Sequence, residues 1–207
     1  MSRRDETLAI FEAALGAVDP HRSVKRVLRR DGDVLTLRQA GDDVRIDLGE
    51  VDRLLVVGCG KAGAPMSRAV EELTADRISF GIVAVKYGHT LPEELSPAHI
   101  RIVEAGHPEP DAEGMRHARE VAQVLEGASE RDLVIALISG GGSAIWPLPV
   151  PPITLEEKIE LTRQLLASGA DIHEINVVRK HVSSIKAGLA ARLAYPARVL
   201  VLLISDV

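Results

Sequence analysis

A run of apolar residues, Leu133-Val134-Ile135-Ala136-Leu137-Ile138, passes without transition into Ser139-Gly140-Gly141-Gly142-Ser143. An unbroken apolar run of this length reads as a strand buried on both faces. Strands of that kind belong to parallel sheets covered by helices, so this stretch already points to an α/β layer fold. The glycines that follow carry no Cβ. Successive backbone N–H groups can therefore turn toward one centre and approach a ligand closely. The hydroxyls of Ser139 and Ser143 add donors, and a helix starting at Ser143 would aim its free N–H groups at the same spot. This combination favours an oxyanion, either a phosphate or a carboxylate.

The same pattern recurs along the chain. Arg53 to Val57 runs into Gly58-Cys59-Gly60-Lys61-Ala62-Gly63, and a helix is predicted from there through Leu73. Ile82 to Val85 ends in Lys86-Tyr87-Gly88-His89, and His99 to Val103 leads to Glu104-Ala105-Gly106-His107-Pro108. Arg198 to Ile204 is followed by Ser205-Asp206-Val207. Helical segments separate these strands, one of them running to about Leu125 with Asp111 as a capping residue. The alternation predicts an α/β fold: a Rossmann-like, mostly parallel sheet with helices on both faces and right-handed crossovers. Ligands in such sheets bind beyond the carboxyl ends of the strands. Lys61, His89, His107, Ser139 to Ser143 and Asp206 all follow strand ends, so one rim can gather them.

Toward the N-terminus, Leu8, Ile10, Phe11, Ala14 and Leu15 recur at helical spacing over 5–17. A second helix is expected from His21 to about Arg29, with the basic residues Arg22, Lys25, Arg26, Arg29 and Arg30 around it reading as a solvated face. Val34 to Leu37 and Val44 to Asp47 read as a hairpin. Later, Thr154 and Glu157 match a capping box for a helix running to Ser168. If 171–188 is helical, Asn176, Lys180 and Ser183 or Ser184 share one face. His173, Lys180, His181 and Lys186 crowd cationic or polar groups into that stretch, and a bound anion would relieve their repulsion.

Composition narrows the chemistry. Aromatic residues make up 2% of the chain and the formal net charge is -5, which argues against a base-stacking nucleic-acid platform. Cys59 is the only cysteine, so no intrachain disulfide can form, and a reducing cytoplasm suits the chain. No apolar run approaches the ~20 residues of a membrane span. Gly58-Cys59-Gly60-Lys61-Ala62-Gly63 is formally G-x-G-x-x-G in strand–turn–helix context, the pattern of a dinucleotide site. Such a site wants an acidic residue at the end of the second strand to hold the ribose. Here the second strand ends in Lys86, with His89 close behind, which suits phosphate or carboxylate better. Lys61 inside the loop sets an ammonium beside backbone donors, an arrangement that neutralises phosphate charge. The Walker A spacing is absent. An oxidoreductase and a non-catalytic anion-binding module remain as alternatives.

Six segments taken in order carry a family resemblance. They are Val57-Gly58-Cys59-Gly60-Lys61-Ala62, Val85-Lys86-Tyr87-Gly88-His89, Glu104-Ala105-Gly106-His107-Pro108, Ile138-Ser139-Gly140-Gly141-Gly142-Ser143-Ala144, His173-Glu174-Ile175-Asn176-Val177-Val178-Arg179-Lys180-His181 and Ser205-Asp206-Val207. Together they resemble the type 2 glycerate kinases. The resemblance assigns residues 1–207 to the N-terminal Rossmann-like domain of that family, the DUF4147 type. The C-terminal MOFRL domain then lies outside this sequence, and a longer chain is expected. The resemblance implies ATP-dependent phosphorylation of D-glycerate, usually to 2-phosphoglycerate, with Mg²⁺, in a cleft between two domains. It also implies a functional Lys61 and a Ser-Gly-Gly-Gly-Ser loop in the active site.

On this reading Lys61 and Asp206 are catalytic, and Asp206 is the Mg²⁺ ligand, since Mg²⁺ takes hard carboxylate oxygens. Gly58, Gly60, His89, His107, Ser139, Gly140, Gly141, Gly142, Ser143, Lys180 and His181 are the phosphate- and substrate-binding candidates. The general base stays open among His89, His107 and Asp206. The expected partners are a small-molecule substrate and a second copy in a homodimer, with neither nucleic acid nor membrane, in the cytoplasm. Relatives have also been labelled hydroxypyruvate reductases, which keeps NAD(P)-dependent reduction through the Gly58-Gly60-Gly63 loop as the alternative. The chain departs from the family's expected pattern at Trp146-Pro147-Leu148-Pro149-Val150-Pro151, which is rich in proline just after the glycine loop.

Overall fold

The computed structural model describes residues 2–205. Helix α1 (Arg3–Ala17) opens with a capping box between Ser2 and Asp5, and α2 (Pro20–Val27) is capped by Asp19. Three short antiparallel strands follow: β1 (Leu28–Asp31), β2 (Val34–Leu37) and β3 (Val44–Asp47). The expected hairpin is thus the second half of a three-stranded meander. The helix expected through Arg29 instead stops at Val27. Leu28 turns into the core, and the segment after it pairs with β2, so strand pairing wins over helical continuation there. Part of its basic face is tied down: Lys25 donates to Glu72 at 2.7 Å, and Arg30 forks onto Asp76. The apolar residues of α1 do share a helix, but none is buried; Ile10 and Phe11 face solvent.

The main sheet contains β4 (Arg53–Cys59), β5 (Ile78–Lys86), β6 (Arg101–Ala105), β7 (Asp132–Ile138) and β8 (Arg198–Leu203), in the order β6-β5-β4-β7-β8 with every neighbouring pair parallel. The α/β expectation holds. Side chains alternate along each strand, so the two faces build two cores. Leu54, Val56, Leu133 and Ile135 pack with the meander and with Met66 and Val70 of α3 (Gly63–Thr74). Leu55, Val57 and Val134 pack with Val121 and Leu125 of α4 (Ala112–Glu126), and with Trp146 and Ile185. From β4 the chain steps outward to β5 and β6, then returns across the sheet to β7 and β8. The reversal falls between β4 and β7, the switch point at which open α/β sheets form their ligand crevice.

The connection from β7 to β8 departs most from expectation. The helix after the glycines, α5, spans only Gly142–Ile145, starting one residue earlier than expected. Trp146-Pro147 then ends it, because proline has no N–H to continue the ladder. Helix α6 (Leu155–Ala167) has the Thr154–Glu157 capping box as read. Helix α7 (Ile172–His181) ends before Ser183 and Ser184, so they do not extend the Asn176–Lys180 face. Both hydroxyls instead bond carbonyls of the proline-rich connector: Ser183 donates to Leu148 at 3.2 Å and Ser184 to Pro149 at 3.1 Å. Prolines supply no N–H groups, and these serines take up carbonyls left over in that segment. Helix α8 (Leu189–Ala194) leads into β8.

Gly58 sits inside β4, where a Cβ would lie 2.3 Å from the Leu137 carbonyl oxygen of β7. The obstacle is backbone and cannot rotate away. Gly58→Ala is expected to destabilise the full-length protein by about 2–3 kcal/mol in urea denaturation, the range of overpacking strain. Gly41→Ala, at a site with no atom within 4 Å, is the near-neutral control.

Candidate functional site

The register of β4 against β7 pairs Cys59 with Ile138, so the loops following these strands emerge side by side at the switch point. Hydrogen bonds stitch them into one structure. The Ser139 N–H donates to the Cys59 carbonyl at 3.1 Å, and the Lys61 N–H to the Gly140 carbonyl at 2.8 Å. The Ser139 hydroxyl accepts from the Ala62 N–H at 3.0 Å. This contact requires Gly60, whose φ is +133° and whose Cβ would fall 2.2 Å from Ser139 Oγ. Gly60 and Ser139 therefore shape the crevice through backbone as much as through any ligand contact. The Gly60 N–H is spent on Ala84 at 3.0 Å. By contrast, the N–H groups of Gly140, Gly141 and Ser143 have no acceptor among the described residues. They are the backbone donors left for an anion.

One set of cationic and imidazole groups flanks this loop on the α3 side. Gly141 has φ +87°, and the position of its missing Cβ lies 3.1 Å from His107 Nε2 and 3.4 Å from Lys61 Cγ. Lys61, His107 and the glycine loop thus meet as the sequence expects. Burial, with the charges of Lys61 and Lys86 behind it, pushes the His107 imidazole below its ordinary range, so it is neutral at pH 7. Its Nδ1 is buried without a hydrogen-bond partner among the described residues. His89, half-buried in the turn after β5, adds to the same field.

A second set stands on the other side, around a cavity of about 550 Å³ lined by Ser139, Gly141, Gly142, Ser143, Arg179, Lys180 and Lys186 at its polar end. Lys186 reaches under the loop and donates to the Ser143 carbonyl at 2.5 Å. Burial pushes its pKa down to about 7, with the charges of Lys158 and Arg179 adding to the shift. Lys158 is buried on α6 and donates to the Val182 carbonyl at 2.9 Å; burial and Arg179 push it down to about 8. Lys180 lines the cavity as expected. His181 does not: it is exposed, with Nδ1 2.7 Å from Val177 O on its own helix. Gly58, packed within β4, supports the loop from below. Cys59 lies beneath it, its thiol pushed up to about 12 by burial and so unreactive. Asp206 falls outside the described residues. Among the described residues no group of three or more His, Cys, Asp or Glu is placed to hold a metal.

Sequence reasoning passes over Arg179 and Lys158 and counts Lys186 only as one of several crowded cations. The missing signal is long-range, because α6 and α7 converge on the loop only through the proline-rich connector.

A family model described as a domain of unknown function, DUF4147, matches residues 6–207. The chain belongs to the DUF4147 family. A mouse relative named glycerate kinase is 38% identical over the whole of this chain and 41% of its own length. An Agrobacterium vitis relative, provisionally named hydroxypyruvate reductase, is 40% identical over the whole chain and 42% of its length. The solved structure of a Thermotoga maritima glycerate kinase superposes with a TM-score of 0.80 at 36% identity, covering 97% of this chain and 44% of that one. The chain thus spans about two fifths of the length of these DUF4147 relatives. No described helix is long and apolar enough to cross a membrane.

Lys186, facing Lys158, Arg179 and the Cys59 thiol, gives the site a pH signature. Its folded pKa of about 7 lies below the ordinary lysine value, so between the two the unfolded chain binds more protons. The penalty is complete below pH 7 and is relieved as pH rises. Ligand-free stability should therefore climb between about pH 7 and about pH 10.5, and more shallowly in Lys186→Met, as read from urea midpoints.

Proposed function

We propose that the protein transfers a phosphoryl group from ATP to D-glycerate, forming 2-phospho-D-glycerate. The observation that carries this reading is the glycine loop at the switch point, with unspent N–H groups and cations on both sides. Transfer between a nucleotide and a hydroxy acid brings two anions together, and catalysis rests on positioning them and stabilising their charge. Lys61 neutralises charge on the transferring group. The Gly140, Gly141 and Ser143 N–H groups hold its oxygens, with the Ser139 and Ser143 hydroxyls beside them. His107, neutral and next to Lys61, takes the proton of the attacking hydroxyl. His89 and Lys180 contribute to anion binding at the rim.

Mg²⁺, bound with the nucleotide, would supply further charge neutralisation, with Asp206 as its proposed protein ligand. Mg²⁺ commonly uses one or two carboxylates together with phosphate oxygens, so the lack of an acidic cluster among the described residues is compatible with it. We further propose a cytoplasmic protein able to form a homodimer.

The reductase reading has support of its own: the Gly58-Gly60-Gly63 loop joins β4 to α3, and a missing Cβ at Gly63 would lie 2.7 Å from Val83 Cγ1, a close helix–sheet fit of the dinucleotide kind. Against it, β5 ends in Lys86 where a ribose-binding acid is wanted.

A coupled assay on the full-length protein separates the two. With D-glycerate and Mg-ATP, the expected result is glycerate-dependent ADP release that falls about 100-fold or more in Lys61→Ala, the scale of losing one preorganised charge-stabilising group. Oxidation of NADH or NADPH by hydroxypyruvate, without ADP release, would establish the reductase instead. Phosphorus–proton coupling in NMR spectra of the product distinguishes the regioisomers 2- and 3-phosphoglycerate.

A further inference from the structure

We propose that Arg179 and Lys186 form a second oxyanion subsite, across the Ser139–Ser143 loop from Lys61, that holds the polyphosphate of a nucleoside triphosphate. The assignment of a nucleotide rests on the phosphoryl-transfer reading above; the anion subsite itself rests on donor and charge accounting.

Arg179 is half-buried, lines the cavity, and makes no hydrogen bond or ion pair with any described residue. A guanidinium offers five N–H donors, and buried polar groups are normally satisfied. Lys186 spends one of three ammonium protons on Ser143, which leaves two. Lys158 stands behind them: Arg179 acts on Lys158, both act on Lys186 together with the Cys59 thiol, and no carboxylate is among the groups that shift any of the three. Other cations that are drawn against the body of the molecule meet carboxylates: Lys25 with Glu72, Arg30 with Asp76, Arg53 with Asp132. Gathering unpaired cations in one cavity is costly unless an anion completes it. Burial already holds Lys186 near neutrality, a cost that a bound polyanion removes.

The charge count selects the ligand. Arg179, Lys180 and Lys186, with Lys158 behind, match a triphosphate rather than a single carboxylate. A cavity of about 550 Å³ is also far larger than a three-carbon acid fills. Its apolar lining, including Ala136, Ala191 and Val201, can receive a nucleotide base. The Lys61–His107 side, with its imidazole held below its ordinary range, is left for the hydroxy acid. The loop between the two sides is where donor and acceptor meet.

Calorimetric titration of the full-length protein with inorganic tripolyphosphate tests the subsite without turnover. Arg179→Gln should weaken binding about 10- to 100-fold, the range for losing hydrogen bonds to a charged group, and Arg179→Lys should recover part of it. In steady-state kinetics both variants should raise the KM for ATP while leaving the KM for D-glycerate within about twofold. Lys186→Gln provides an independent variant if Arg179→Gln does not fold. Unchanged tripolyphosphate affinity in the folded variants overturns the proposal, as does a rise confined to the glycerate KM. Tripolyphosphate binding that depends on Arg179 in a wild-type protein with no glycerate-dependent ADP release would keep the subsite and discard the kinase reading.

Discussion

The close approach of β4 to β7 is the contact on which the rest of this structure depends. Parallel neighbours carry ordinary side chains along most of their length. At Gly58 and Gly60, however, the space a Cβ would need is occupied by the Leu137 carbonyl and by Ser139. Removing those two side chains lets the strand ends converge. Only then can Ala62 donate to Ser139 Oγ and Lys61 to the Gly140 carbonyl. The glycine loop is consequently braced by β4 on one side and Lys186 on the other. A braced loop presents fixed N–H dipoles and needs little reorganisation when charge arrives.

The electrostatics follow the same geometry. The chain is acidic overall, yet its acids are spent mainly on structure. Glu72 receives Lys25, His21 and Arg68; Glu71 accepts three successive backbone N–H groups from Ala98 to Ile100; Asp132 receives Arg53 and Ser129. These pairings lie on the meander side and at the amino-terminal ends of the strands. At the carboxyl ends, Lys61 sits in no ion pair among the described residues, and neither do Arg179, Lys180 and Lys186. An excess of positive charge facing one crevice, on a negatively charged molecule, favours anions at that crevice.

Much of this organisation is legible along the chain. Burial on both faces leaves a local mark, so the five strands of the main sheet read correctly from their apolar runs. Capping chemistry is local too, and Thr154–Glu157 and Asp111 cap the helices expected of them. The failures share a cause. Leu28 and Arg29 read as the end of a helix because only the partner strand β2 shows otherwise. Ser183 and Ser184 read as helix-face residues because the carbonyls they satisfy lie some 35 residues away. His181 reads with His173, Lys180 and Lys186 as one crowded polar stretch, and helical rotation separates it from Lys180, so that only Lys180 of the two lines the cavity.

The sequence by itself determines the layer architecture, the switch-point loops and the anionic character of the ligand, because these depend on apolar runs, glycines and charges adjacent in the chain. Which cations share a cavity is decided only by the tertiary structure. Arg179 and Lys186 line it from α7 and the segment just after it, and Lys158 of α6 comes to lie behind them because the proline-rich connector folds α6 and α7 back over the loop. No local pattern encodes that return. It arises from Ser183, Ser184 and Lys158 bonding distant carbonyls, contacts that exist only once the chain has closed on itself.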